Sequence, residues 1–155
     1  MGGVEKLRHA ISGYRLLMLD TMVFSYHLSD HPRYAPLTTV LLETIESGKT
    51  AGMTTTVTLA ELLTVPAQGN DWRAMQEYEL YLTHFPNLRI VPLDTALARE
   101  AALVRAATRL RMPDAIQVAA ARLHGADVIV TNDRRWVGRV TQPAVLLLDD
   151  YLDAE

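Results

Sequence analysis

Five short apolar runs alternate along the chain with longer stretches of helical period, and no other feature limits the possible folds so sharply. The runs are 15–19, 50–54, 88–92, 127–131 and 145–148. Runs of this length, bounded by turn residues, suit strands buried on both faces. Residues 36–47 place Leu37, Val40, Leu41, Thr44 and Ile45 at helical spacing, with Gly48 as a stop. A helix is expected over 56–65, halted near Pro66. Another spans 71–84 through Trp72, Met75, Tyr78 and Leu82. Asp94 caps a helix reaching about Arg109, with Leu97, Ala101, Val104 and Thr108 on one face. Pro113 and Asp114 open a last one that ends at His124, before Gly125. Strands alternating with helices build a parallel sheet covered on both faces. The expected fold class is α/β: a three-layer α/β/α sandwich around a central parallel sheet of about five strands. A chain of 155 residues fits one domain, 1–155, and leaves no room for a second.

Composition removes several classes of chemistry. There are no cysteines, so disulfides and thiolate metal sites are excluded. No apolar stretch approaches the ~18 residues of a membrane span, and the first residues do not read as a secretion signal. The expected location is the cytoplasm, with no membrane partner. The formal charge is −3, yet residues 99–139 hold eight arginines against four acids. Such a block is either a solvated helix surface or a face for phosphates, whose oxygens suit the guanidinium fork. Arg109, Arg111, Arg134 and Arg135 are the candidate contacts to nucleic-acid phosphates.

In open α/β sheets, ligands sit beyond the carboxyl ends of the strands, where strand order reverses. Asp20 follows the first strand directly, and Asp133 follows the fourth within Thr131-Asn132-Asp133. Either aspartate is equally at home as a helix cap or turn residue. Glu61 closes a capping box if its helix starts at Thr58. If the helix starts at Thr55, Glu61 falls in the second turn, on the inward face with Val57. Asp114 complements the dipole of its helix, and the alanines that follow bring that helix close to the sheet. Four carboxylates in one cleft repel. A pair ~4 Å apart at an effective dielectric of ~20 costs about 4 kcal/mol. Such a cluster needs cations or raised pKa values, and oxygen-only donors favour Mg²⁺ or Mn²⁺. Thr21 and Asn132 either support such a site by orienting water or serve as turn and cap residues.

Four segments carry a resemblance: Leu19-Asp20-Thr21; Thr55-x-x-Thr58-x-x-Glu61-Leu62; Pro113-Asp114-Ala115-Ile116 through Ala121; and Thr131-Asn132-Asp133. They resemble the ordered acidic motifs of PIN-domain ribonucleases, and in particular the VapC-like toxins of type II toxin–antitoxin systems. The resemblance runs from about Arg15 to Leu148 and leaves out the first dozen residues. It implies strand order 3-2-1-4-5, with the switch between strands one and four. It implies Mg²⁺ or Mn²⁺, one ion or two, as cofactor. Asp20, Glu61, Asp114 and Asp133 would be both catalytic residues and metal ligands. The implied activity is metal-dependent endoribonuclease cleavage of RNA phosphodiester bonds, leaving 5′-phosphate and 3′-hydroxyl ends. The implied partners are an RNA substrate, a second copy in a homodimer, and an antitoxin protein whose C-terminal segment blocks the acidic cleft.

Other arrangements are less well supported. His27 and His31 stand four apart, but Pro32 follows and no third ligand has a place. Ser25 lacks a nucleophile elbow, and no phosphate-binding glycine loop is present. A receiver-type phosphoryl acceptor needs a lysine near the last strand, whereas the only lysines are Lys6 and Lys49. A catalytically silent PIN-like RNA-binding or scaffold module is the alternative to an enzyme. Trp72 and Trp136 are expected to be packing residues, with base stacking the other option for Trp136 beside Arg134 and Arg135.

Overall fold

A computed structural model describes residues 1–154. Five parallel strands, β1 (Leu16–Leu19), β2 (Ala51–Thr55), β3 (Leu88–Val91), β4 (Val128–Thr131) and β5 (Ala144–Leu147), form one sheet in the order β3-β2-β1-β4-β5. The expected three-layer α/β/α sandwich and its strand order are what the chain adopts. Leu17, Met18 and Leu19 of β1 pair with Val128, Ile129 and Val130 of β4, which places the switch point between these two strands.

Strand alternation divides the core in two. Leu17, Leu19, Val128 and Val130 point to one face. They pack with residues of α1 (Gly3–Ile11), α2 (Thr21–Leu28), α3 (Ala35–Glu46) and α5 (Trp72–Thr83). Met18, Met53 and Ile129 point to the other, under α6 (Thr95–Thr108) and α7 (Met112–Leu123). All seven residues from Ala115 to Ala121 are buried, so α7 lies tight on the sheet as its small side chains allow.

Three features depart from the sequence reading. The helix after β2, α4, runs over Thr56–Gln68 and carries Pro66 inside it rather than stopping there. Proline removes one ladder donor near the helix end, where few bonds remain to be lost, and Pro66 is itself buried. Trp72 is 66% exposed, so it is no packing residue, whereas Trp136 is fully buried. Burial rules out base stacking by Trp136, whose Nε1 has no hydrogen-bond partner among the described residues. The first dozen residues, left without a role by the sequence, form α1. That helix seats Leu7 and Ile11 in the first core cluster. The Gly3 amide donates to Asp153 Oδ1 (2.6 Å), tying the two ends of the chain together. Among the described residues no helix is long and apolar enough to cross a membrane.

Candidate active site at the carboxyl ends of the strands

Asp20 is where β1 ends and α2 begins. Its backbone is still extended (φ −73°, ψ 161°), and its amide donates to the Val130 carbonyl (3.0 Å), one step beyond the paired strand. As N-cap it accepts the Thr21 amide at Oδ1 (2.8 Å). Oδ2 accepts the Thr131 hydroxyl (2.8 Å), from the end of the neighbouring strand β4. The Gln117 amide nitrogen lies 3.5 Å from Oδ1. Asp20 is only 6% exposed, and burial drives its pKa up from 3.8 to about 6. Hydrogen bonds from Thr131 and Thr21 oppose that rise, and the charge of Asp114 adds to it.

Asp114 stands in the first turn of α7 with its carboxylate half-buried. Burial raises its pKa, the Arg111 guanidinium lowers it, and Asp133, Arg135 and Glu61 are close enough to contribute. Arg111 Nε is 3.9 Å from Asp114 Oδ2. Asp133 caps a 3₁₀ turn over Arg134–Trp136 and accepts the Arg135 amide at Oδ1 (2.9 Å). The Arg135 side chain returns as a fork on the same carboxylate, through Nε (2.9 Å to Oδ1) and Nη2 to Oδ2. That bidentate pair holds Asp133 below the ordinary carboxylate range.

Glu61 settles the choice of helix start. Thr55 is the N-cap and accepts the Val57 amide (3.2 Å), so α4 begins at Thr56 and Glu61 lies in its second turn. Its carboxylate stays exposed and is reached by the Thr21 hydroxyl (3.0 Å). Thr21 therefore joins the ends of β1 and α4. Asn132 turns elsewhere. Its Oδ1 accepts the Asp149 amide (2.9 Å), while Nδ2 faces Asp149 Oδ1 (3.3 Å) and the Tyr26 hydroxyl (3.4 Å).

The four arginines separate. Arg111 and Arg135 flank the carboxylates, and Arg134 faces Asp149 at 3.8 Å. Arg109 ends α6 in a left-handed conformation (φ 60°) and lies along a concavity with Arg105 and Met112. His27 is close to Thr38 Oγ1 (3.2 Å), and His31 accepts the Arg33 amide, so the two histidines form no ligand pair.

Gln117 and Thr131, which reach Asp20, are not among the candidates from the sequence. Gln117 alone carried a signal, as the one polar side chain among the buried residues of α7. The donor set suits a hard divalent cation: carboxylate oxygens, no thiolate, and two carboxyls whose charge is disfavoured by burial. Among the described residues no three histidine, aspartate or glutamate side chains stand in a ready coordination sphere. Asp133 is turned onto Arg135 instead.

Several solved structures share this fold. A toxin-antitoxin complex from Klebsiella pneumoniae contains a chain similar to this one (18% identity, TM-score 0.64, covering 85% of this chain and 97% of that one). VapBC2 from Rickettsia felis, bound to a DNA fragment from its promoter, is similar too (17%, 0.67, 85% and 98%). So is FitAcB from Neisseria gonorrhoeae (22%, 0.64, 85% and 97%). No curated protein sequence matches significantly. At these identities the structural likenesses establish the fold. A family model described as the PIN domain matches residues 17–140, from β1 through the turn that carries Asp133, and the chain belongs to the PIN domain family.

Proposed function

We propose that the chain is a metal-dependent endoribonuclease, the toxin of a toxin–antitoxin pair. Family and fold support a nuclease of the toxin–antitoxin type in general. The observation that carries the finer reading is the carboxylate pair of buried Asp20 and half-buried Asp114. Burial makes the charge of both costly, and the charge of Asp114 adds to the rise at Asp20. A carboxylate buried without a partner cation is expensive, and a fold that needed only a helix cap would leave it in water.

Members of the family generally use divalent metal ions. In this reading Asp20, Glu61, Asp114 and Asp133 hold Mg²⁺ or Mn²⁺. A bound ion would make water more acidic and offset charge gathered at the phosphoryl group. The chain's own residues do the remainder. The Thr21 amide and the Thr131 hydroxyl fix Asp20 from two sides. The Thr21 hydroxyl aims Glu61. In this reading Arg111 and Arg135, beside the carboxylates, would also meet RNA phosphates. A single domain, a cytoplasmic location, a homodimer and an antitoxin that covers the cleft belong to the same proposal. The similar chain from Klebsiella pneumoniae is part of a toxin–antitoxin complex, which supports the antitoxin.

One observation favours a second reading, a silent RNA-binding or scaffold module. The Arg135 fork occupies the carboxylate of Asp133. Cleavage separates the two. The wild-type chain should cut single-stranded RNA in Mn²⁺ and stop in excess EDTA. Asp114→Asn should lose cleavage while unfolding at or above the wild-type midpoint in EDTA. Cleavage by Asp114→Asn near the wild-type rate, or wild-type cleavage that survives EDTA, defeats the metal-site reading. Binding without cleavage in either metal establishes the silent module.

A further inference from the structure

Gln117 is 1% exposed, on a stretch of α7 otherwise lined by Ala115, Ile116, Val118 and the three alanines after it. Every polar atom of its side chain is engaged. Oε1 accepts the Thr55 hydroxyl (2.6 Å). Nε2 donates to Thr58 Oγ1 (2.7 Å) and faces Asp20 Oδ1 at 3.5 Å. The orientation of the amide follows from its neighbours. Thr55 Oγ1 already accepts the Val57 amide, so its proton is free for Gln117. The opposite orientation would aim a carbonyl oxygen at a carboxylate.

The direction of the bonds continues outward. Thr54 Oγ1 lies 2.9 Å from the Leu19 carbonyl and donates its proton to Thr58 Oγ1 (2.8 Å). Thr58, having accepted from Gln117, has a proton for Thr21 Oγ1 (3.1 Å), and Thr21 gives its own to Glu61 Oε1 (3.0 Å). One buried amide thus touches Asp20 on one side. On the other it reaches Glu61 through two hydroxyls. These carboxylates come from different elements, the end of β1 and the second turn of α4. Strand pairing brings these elements together, and Thr21 spans the gap between them, while Gln117 bonds to both sides of it.

We propose that Gln117 is a positioning residue that fixes Asp20 directly, and Glu61 through Thr58 and Thr21, as a pair for a divalent cation. The inference rests on the metal-site reading above and adds the residue that sets the spacing of its ligands. A hydrogen bond that orients a ligand typically contributes about 10–100-fold to metal affinity. A purely structural amide would support only the packing of α7 on α4.

The test is Mn²⁺ titration calorimetry on the purified chain, with unfolding midpoints measured in EDTA on the same preparations. Gln117→Met keeps the volume and removes all three contacts, and should weaken Mn²⁺ binding by about 10–100-fold. Thr21→Val, at a half-buried surface position, cuts only the Glu61 branch and should weaken binding by a smaller factor than Gln117→Met does. Asp20→Asn is the control and should abolish binding. A lowered midpoint with Mn²⁺ affinity within twofold of wild type, for Gln117→Met, overturns the positioning role. If Gln117→Met does not fold, unchanged affinity of Thr21→Val overturns the relay. Wild-type protein that takes up no Mn²⁺, or Asp20→Asn that binds as wild type does, removes the metal site and this inference with it.

Discussion

Asp20→Asn should make the metal-free protein more stable, and only above a defined pH. The carboxyl titrates at about 6 in the folded chain against an ordinary 3.8. The folded state therefore holds the proton more tightly than the unfolded state. Below pH ~4 both states are protonated and the group contributes nothing. Between pH ~4 and ~6 the unfolded chain ionises first, so stability falls as pH rises. Above pH ~6 the loss is constant. A shift of about two pKa units at ~1.4 kcal/mol each gives a penalty of about 3 kcal/mol. Asparagine removes the charge and keeps the shape. Its Oδ1 still accepts the Thr21 amide, while its Nδ2 meets Thr131 Oγ1. That hydroxyl can turn its proton towards Met22 Sδ, 3.8 Å away. Allowing ~1 kcal/mol for the poorer bond, the variant should gain about 2 kcal/mol at pH 8. For a chain of this length that is roughly 4–8 °C in midpoint. The assay is urea or thermal unfolding of both proteins in EDTA at pH 4, 6 and 8. The gain should be absent at pH 4 and complete by pH 7. A variant that is no more stable at pH 8, or equally shifted at every pH, would refute the argument that burial controls this group. Adding Mn²⁺ should reverse the order, because only the wild type gains stability from binding.

Arg135→Gln should free the Asp133 carboxylate and return its pKa towards the ordinary range. The bidentate pair holds that pKa down, so its contribution is present above pH ~4 and disappears as pH falls through the depressed value. Proton NMR titration of the Asp133 region reads the change, and an unmoved midpoint would show that Arg135 does not govern it. Removing Arg109, Arg111 and Arg134 one at a time should lower the salt slope of RNA binding by about 0.7 for each true phosphate contact. Arg111, at the acidic rim, should show this drop, and Arg109, at the far end of α6, should not if the rim is the binding face. Equal slopes for all three return them to ordinary solvated side chains. Leu7→Ala empties a fully buried position on α1 and should cost about 2–5 kcal/mol without changing cleavage per folded molecule. Cleavage that falls further than the folded fraction would give α1 a role in the site.

The sheet was legible because its signal is local and repeated. Leu17, Met18 and Leu19 need no partner to declare a strand buried on both sides, and parallel pairing follows from the helices between strands. Strand ends then located Asp20, and motif order suggested which acids belong together. The rest depended on side chains that serve two purposes. Gln117 reads as one polar residue on an alanine-rich helix, and although its i+3 spacing puts it on the face of Asp114, nothing local says that its amide is buried against α4. Arg135 sits two residues from Asp133, a spacing that brings no contact in a helix but closes a fork in a 3₁₀ turn. The α2 segment escaped notice because Met22, Val23, Phe24 and Tyr26 are apolar around the whole helix, leaving no period to detect. Pro66 misled for the opposite reason: its effect is strong in a helix interior and small where the ladder is about to end.

The two halves of the acidic site differ in what they lack. Asp133 has a cation beside it already, supplied by Arg135, and loses nothing by being ionised. Asp20 has three neutral donors and no cation in contact, and those donors reduce the effect of burial without cancelling it. Charge demand is therefore concentrated at Asp20, with Asp114 next to it only partly relieved by Arg111. A divalent ion bound there removes a penalty that the apo protein carries at neutral pH. Stability given up without metal and affinity gained with it are the same free energy measured from two sides. About 3 kcal/mol at Asp20 corresponds to roughly two orders of magnitude in the dissociation constant. If the site binds as proposed, the stability gained by Asp20→Asn in EDTA should account for about that share of the Mn²⁺ affinity of the wild type. A large stability gain beside a weak, pH-independent Mn²⁺ affinity would mean that the burial of Asp20 serves something other than a cation.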